Sequence, residues 1–289
     1  MGEQFMKLQI GNIRKDPAWE GEERSASLES LTFSNGGSQM YGTALIPGGK
    51  KDQTYPCVIL LHGFPGFAAT FDIAQSLRRT GIVVISFFYR GSWGSQGNYT
   101  FSGAVDDAIC VAEWAHREET AAKYHIDRDN IFFVGHSMGG FVSINATRRL
   151  PWIRGTAVMS PYDLVYWPLH QDTEPMKQVI DENLYALHIE SPVAIYQNIA
   201  YCCQEGYGIF QAYEDLKDRN LYFIGATQDD VAPAAKMIEP LWNQLQQHTT
   251  NALQAYDILN TNHAYDDKRV TVSELFAKWI EKVLTKTAE

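Results

Sequence analysis

The sequence runs Gly135-His136-Ser137-Met138-Gly139 directly after the apolar residues Ile131 to Val134 and directly before a stretch of helical spacing. A serine with glycine two positions away on either side, at the junction of a strand and a helix, is the pattern of a nucleophile elbow. The serine occupies a strained turn that presents its hydroxyl, and the glycines let strand and helix approach closely. A hydroxyl is a weak nucleophile at neutral pH, so it needs an imidazole base and a carboxylate that holds the imidazole in the right tautomer. Four of the eight histidines follow Ser137, namely His170, His188, His248 and His263. His263 lies in LNTNHAYDD, between the last apolar run and a C-terminal helical stretch. For the carboxylate, LYFIG from Leu221 leads into ATQDDVAP, so Asp229 and Asp230 stand at the C-terminal end of a buried strand, where open α/β sheets collect active-site residues. The spacing to Pro233 favours Asp229, and Asp230 reads as a loop-shaping or capping group. Asp163, in SPYD, is the other acid available.

Attack on an acyl carbon also requires two backbone N–H donors for the oxyanion. Met138, the residue after the nucleophile, supplies one, and LLHGFPGF from Leu60 points to Phe64 N–H as the other. His62, at a strand end ahead of Gly63, reads as a structural residue shaping that loop.

The elements that must position these groups are legible as patterns. Ser27 to Phe33 and Met40 to Ile46 alternate around SNGGSQ, a hairpin turn signal. From Cys57 on, the runs CVILL, IVVISFF, NIFFVG, TAVMS, LYFIG and LQAYDIL are near-continuous apolar strands separated by helical stretches, which means a parallel sheet with crossovers. Helices are expected at Phe71 to Arg79 and Val105 to Ala122. Another is expected at the C-terminus, where Val272, Leu275, Phe276, Trp279, Ile280 and Val283 share one face. Residues 162–218 are too long for an ordinary crossover and read as a small helical cap inserted in a single domain spanning 1–289.

The 289 residues, 45% hydrophobic and 20% charged, are those of a globular chain, and the net charge of −10 argues against nucleic acid or an anionic membrane as partner. The N-terminal 25 residues lack a signal-peptide pattern and no run is long enough to span a membrane, so a cytoplasmic protein is expected. Cys57, Cys110, Cys202 and Cys203 have no metal-site spacing and read as reduced packing thiols, with the vicinal Cys202 and Cys203 open to a redox or metal-sensing role. No phosphate loop, dinucleotide fingerprint or ligand cluster is present, so no cofactor and no metal are expected.

The ordered set His62-Gly63-Phe64-Pro65-Gly66, Gly135-His136-Ser137-Met138-Gly139-Gly140, Asp229 and His263 resembles the α/β-hydrolase superfamily from Ser27 to Leu284. YRGSWGSQG from Tyr89 is similar to the turn of single-domain esterases of the prolyl-oligopeptidase and cinnamoyl-esterase branches. The resemblance implies an α/β-hydrolase fold with a mostly parallel central sheet, an N-terminal antiparallel hairpin and helices on both faces. It also implies a Ser137-His263-Asp229 triad acting through an acyl-enzyme on a carboxylic ester, thioester or amide. The reading adopted is a small-molecule ester, its short or aryl acyl group expected from the aromatic residues named below. The departures are HGFPG in place of HGGG, and too short an N-terminal region for an oligopeptidase propeller. A peptidase or thioesterase with the same triad is the alternative within enzymes; a non-catalytic ligand-binding protein of the fold is the alternative outside them. Phe67, Trp93, Tyr162, Tyr166 and Trp167 are expected to join Phe64 around a narrow apolar slot, and a homodimer is the oligomer to test.

Overall fold

The computed structural model describes residues 7–18, 23–67 and 70–286. Residues 1–6 and 19–22, part of the N-terminal segment read above as lacking a leader, lie outside them. The hairpin turn signal joins β1 (Ser27–Asn35) to β2 (Ser38–Ile46), with Gly36 and Gly37 both at positive φ. The apolar runs become β3 (Tyr55–Leu61), β4 (Val83–Phe87), β5 (Ile126–His136), β6 (Gly155–Met159), β7 (Leu221–Ala226) and β8 (Gln254–Leu259). Between or after them lie α1 (Phe71–Arg79), α2 (Phe101–His116), α3 (Glu118–Tyr124), α4 (Met138–Arg149), α5 (Tyr166–Leu169), α6 (Glu174–Asp181), α7 (Pro192–Gln204), α8 (Tyr213–Leu216), α9 (Ala234–Met237), α10 (Glu239–Leu245) and α11 (Arg269–Lys286).

One eight-stranded sheet has the order β1-β2-β4-β3-β5-β6-β7-β8, with β1, β2 and β4 paired antiparallel and every other pair parallel. This is the expected mostly parallel sheet with an antiparallel N-terminal hairpin. Successive strand residues feed opposite cores because side chains alternate across a sheet. In β3, Cys57, Ile59 and Leu61 pack on the face covered by α2, α3 and α4, while Val58 and Leu60 pack with Ile73 and Leu77 of α1 and Phe276 and Ile280 of α11. Burying each such large side chain stabilises the domain by about 1.5–3 kcal/mol, so helices on both faces are what the continuous apolar strands require.

The expected helix over Val105–Ala122 differs in both bounds. It begins at Phe101, because the Thr100 hydroxyl accepts from Gly103 N–H at 3.0 Å as an N-cap, and it breaks at Arg117, whose extended backbone (φ −66°, ψ 139°) separates α2 from α3. The stretch 162–218 forms α5 to α8 between β6 and β7, and Met176, Ile180, Ile195, Ile199 and Leu216 bury into the core on the α2/α4 face. Among the described residues, no helix is long and apolar enough to cross a membrane.

The chain passes from β3 outward to β4 and then back across β3 to β5. The loops leaving β3 and β5 therefore diverge at a topological switch point, where open α/β sheets form a crevice at the carboxyl ends of their strands.

Candidate active site

Ser137 occupies the turn between β5 and α4 with φ 56° and ψ −123°, backbone values a non-glycine residue adopts only when its surroundings impose them. They do so here. Ser137 N–H donates to Met159 O at 3.1 Å, and its carbonyl accepts from Gly140 N–H at 2.8 Å and Tyr162 N–H at 2.9 Å. A Cβ on Gly135 would press into Gly139 O and Ser143 Oγ, and one on Gly139 would press into Leu61 O. Gly135→Ala is therefore expected to cost about 1–3 kcal/mol of stability and to misplace the hydroxyl. Thermal melting together with the rate of serine labelling by a fluorophosphonate checks both effects.

His263, in the loop after β8, brings Nε2 to 3.0 Å from Ser137 Oγ. Its Nδ1–H donates to Asp229 Oδ2 at 2.9 Å and Oδ1 at 3.0 Å, which leaves the Nε2 lone pair facing the hydroxyl. Asp229, after β7, has a fully buried side chain, and its Oδ1 also accepts Val231 N–H at 3.0 Å and Ala232 N–H at 2.7 Å. Burial by itself would raise this carboxyl. The bond and charge of His263, with the Ala232 N–H and the Ser160 hydroxyl, outweigh that and hold it below its ordinary value. An ionised carboxylate, an oriented imidazole and a serine hydroxyl in line form a relay through which Nε2 can take a proton from Oγ.

The other candidates have different surroundings. Asp230 is exposed. Asp163 is buried, and its oxygens accept Val165 N–H at 3.0 Å and Ile209 N–H at 2.8 Å, so it pins the start of the β6–β7 excursion. Burial pushes its carboxyl up to about 6. His170, His188 and His248 bond to Tyr166 O, Gly97 O and Asp218 Oδ1.

Met138 is the first residue of α4, so its N–H has no carbonyl one turn back to bond. The loop after β3 carries Phe64 alongside it: a Cβ on Gly63 would lie 3.1 Å from Ser137 Cβ. His62 is buried, shares a bond with Gly63 O at 2.7 Å and is pushed down to about 4 by burial, so it is a neutral structural group. The first amide of α4 and the loop that carries Phe64 thus both lie beside Ser137.

Two contributors carry no local signal in the sequence. His136 donates from Nε2 to His263 O at 2.9 Å, tying the elbow to the base loop across 127 residues of chain, and burial and then the nearby His263 push it down to about 3. Ser160, at φ 41°, lies 2.9 Å from the hydroxyl of Tyr265, which in turn donates to Ile224 O at 2.8 Å. The ends of β6 and β7 are thereby fastened under Asp229.

The packing divides the six aromatics expected around a slot into two groups. Tyr162 and Trp167 are buried in the core, and Phe64 and Tyr166 pack against it, Phe64 with Tyr99 and Phe101 at 5.8 and 5.4 Å between ring centroids. Large apolar rings gain more from a core within reach than from lining an open slot. Phe67 (57% exposed) and Trp93 (38%) do stand out from their loops, 5.1 Å apart, and Tyr185 (79%), which the sequence did not single out, lies 6.3 Å from Phe67. The four cysteines are free, and burial raises the thiols of Cys57, Cys202 and Cys203, which makes them poor nucleophiles. Among the described residues, no three metal-type side chains gather.

Comparison with known proteins agrees with this architecture. Lysophosphatidylserine lipase ABHD12 of Xenopus tropicalis is 33% identical over 100 residues, covering 34% of this chain and 24% of that protein, and the Danio rerio form is 29% identical over 101 residues. The match spans about a quarter of the length of these curated relatives. Among solved structures, puromycin hydrolase superposes with a TM-score of 0.69 at 15% identity, over 90% of this chain and 40% of that one. DcsB superposes at 0.67 and 13%, over 89% and 99%, and Pyrococcus horikoshii acylaminoacyl peptidase at 0.65 and 15%, over 90% and 42%. At these identities they show the fold. The sequence profile described as the alpha/beta hydrolase family matches residues 58–282, more than three quarters of the chain, and this protein belongs to that family.

Proposed function

We propose that this protein is a serine hydrolase that cleaves carboxylic esters through an acyl-enzyme. The observation that carries the reading is the continuous chain from Ser137 Oγ through His263 to the buried Asp229 carboxylate, beside the first amide of α4. In the mechanism, His263 Nε2 takes the Ser137 proton as Oγ bonds to the acyl carbon. The amides of Met138 and Phe64 hold the oxyanion. His263 then returns the proton to the departing alkoxide as the ester bond breaks, leaving the acyl group on Ser137. Water repeats the sequence, giving its proton to His263 and releasing the acid. Asp229 orients the imidazole and stabilises its charged form throughout.

The test is labelling with a fluorophosphonate, followed by a panel of p-nitrophenyl esters, lysophospholipids, acyl-CoAs and aminoacyl anilides with Ser137→Ala as blank. Unlabelled wild-type protein, or turnover equal to the blank across the panel, would overturn the proposal.

On substrate class, Tyr162 and Trp167 are buried in the core, while Phe67, Trp93 and Tyr185 form one exposed cluster of rings. An exposed aromatic cluster drawn from the loop after β3, the loop after β4 and the excursion between β6 and β7 favours a planar aryl or short acyl ester over a long lipid chain. Catalytic efficiency is expected to fall at least about tenfold from butyrate or aryl esters to palmitate, because a chain too long for the site must displace packed side chains at a cost of about 1–3 kcal/mol. Equal or faster turnover of palmitate would remove this preference.

A further inference from the structure

Trp93 sits in the loop between β4 and α2 with φ 47°, a left-handed conformation unusual for a bulky side chain. Such a conformation persists where the surroundings over-determine it, and the frame of this loop is well anchored. Arg90, three residues earlier, donates from its backbone N–H at 2.9 Å and from Nε at 2.6 Å to the buried Asp107 carboxylate, which also accepts Asn35 Nδ2 at 2.8 Å. Beyond Trp93, Gly97 O is bound by His188 Nδ1 at 2.8 Å, while Gly91 O accepts His188 N–H at 2.7 Å. Ser92 forms an isolated bridge to Leu187. The loop is thereby fixed both to α2 and to the excursion between β6 and β7.

From this frame the indole reaches across to a different loop. Its Nε1–H donates to Pro65 O at 2.8 Å, although the ring is exposed enough for water to serve as acceptor. Pro65 follows Phe64, the proposed oxyanion donor. A Cβ on Gly66 would come within 2.8 Å of Trp93 Nε1 and 2.6 Å of His62 Nδ1, so the backbone at Gly66 runs close to both rings. On its other side Phe64 packs on Tyr99 and Phe101. The segment Phe64-Pro65-Gly66 is thus held from the core by ring packing and from the solvent side by a single indole hydrogen bond.

We infer that Trp93 is a positioning residue for the oxyanion loop, its N–H fixing the Pro65 carbonyl and through it the direction of the Phe64 amide. The inference rests on the serine hydrolase reading above. Its physical content is preorganisation: an amide donor stabilises developing negative charge to the extent that it is already aimed when charge appears. Removing such a donor outright costs on the order of 10²–10³ in rate, so loosening the loop that carries it should cost less, about tenfold.

The decisive variant is Trp93→Phe, which keeps an aromatic face for substrate and removes the donor. Relative to wild type, the fluorophosphonate labelling rate and kcat for p-nitrophenyl butyrate are expected to fall about tenfold and KM to stay within about twofold. A trifluoromethyl ketone, which forms an oxyanion adduct on the serine, should bind weaker by the same factor as kcat falls. Should Trp93→Phe fold poorly, benzothienylalanine at position 93 replaces N–H by sulfur in nearly the same shape and is expected to give the same losses. Unchanged labelling and kcat, or a rise in KM alone, would overturn the inference while leaving the serine reading intact. Wild-type protein that the fluorophosphonate does not label would overturn both.

Discussion

Replacing Ser137 by alanine is expected to lower ester turnover by about 10⁴-fold or more while leaving the protein folded. The strained turn does not depend on the side chain. It is held by Ser137 N–H to Met159 O, by the N–H groups of Gly140, Phe141 and Tyr162 on Ser137 O, and by the close approach at Gly135 and Gly139, all of which survive the substitution. What is lost is Oγ, the atom that His263 Nε2 faces at 3.0 Å, and with it one hydrogen bond worth about 1 kcal/mol. The melting temperature should therefore shift by a few degrees at most. The residual rate, measured on the best ester of the panel with protein freed of contaminating hydrolases, tests the assignment. Retention of wild-type turnover would exclude Ser137 as nucleophile.

Asp229→Asn is expected to have the next largest effect, a loss in kcat approaching 10⁴-fold, whereas Asp230→Asn should stay within about threefold. The two acids are adjacent in sequence but not in environment. Asp229 is an acceptor for His263 Nδ1–H in a buried position, and an amide there can turn its NH₂ toward Nδ1, favouring the tautomer that puts a proton on Nε2 where the lone pair must be. Asp230 is exposed. Comparable losses in both variants would deny Asp229 its special role.

A pH dependence accompanies this pair. The folded protein holds the Asp229 carboxyl below its ordinary value of 3.8, so the stability it contributes is present above 3.8 and is lost as pH falls through the lower folded value. The gap in unfolding free energy between wild type and Asp229→Asn should therefore narrow below pH 3.8. A gap that widens on acidification would mean the carboxyl is not stabilised as an anion.

Much of this site is legible in the amino-acid order because its parts are local. Gly135, Ser137 and Gly139 form a self-contained turn whose constraints lie within a few residues and the strand beneath, and apolar runs flanked by helical spacing dictate a parallel sheet whose carboxyl ends must face one way. The loops bearing Phe64, Asp229 and His263 consequently share one rim of the sheet. Choosing His263 among the later histidines took the resemblance to a family as well as the pattern, since a lone loop histidine carries no label of its own.

The remaining features depend on contacts between segments distant in the chain. His136 reads as an unremarked member of the elbow until its Nε2 is seen at His263 O. Trp93 reads as an aromatic available to a pocket until its N–H is seen on Pro65 O, and Tyr162 and Trp167, read the same way, turn inward because a core lay within reach. Hydrophobic spacing specifies that a ring will be buried or paired, but not against what. A hydrogen-bond donor specifies only that an acceptor is needed. The sequence by itself determined the parallel sheet, the elbow and the rim on which the loops converge, since these follow from periodicity and short-range sterics. The partner of each long side chain was decided only by the tertiary structure, because competing partners differ by about 1 kcal/mol and the choice falls to whichever backbone the packed sheet brings within 3 Å.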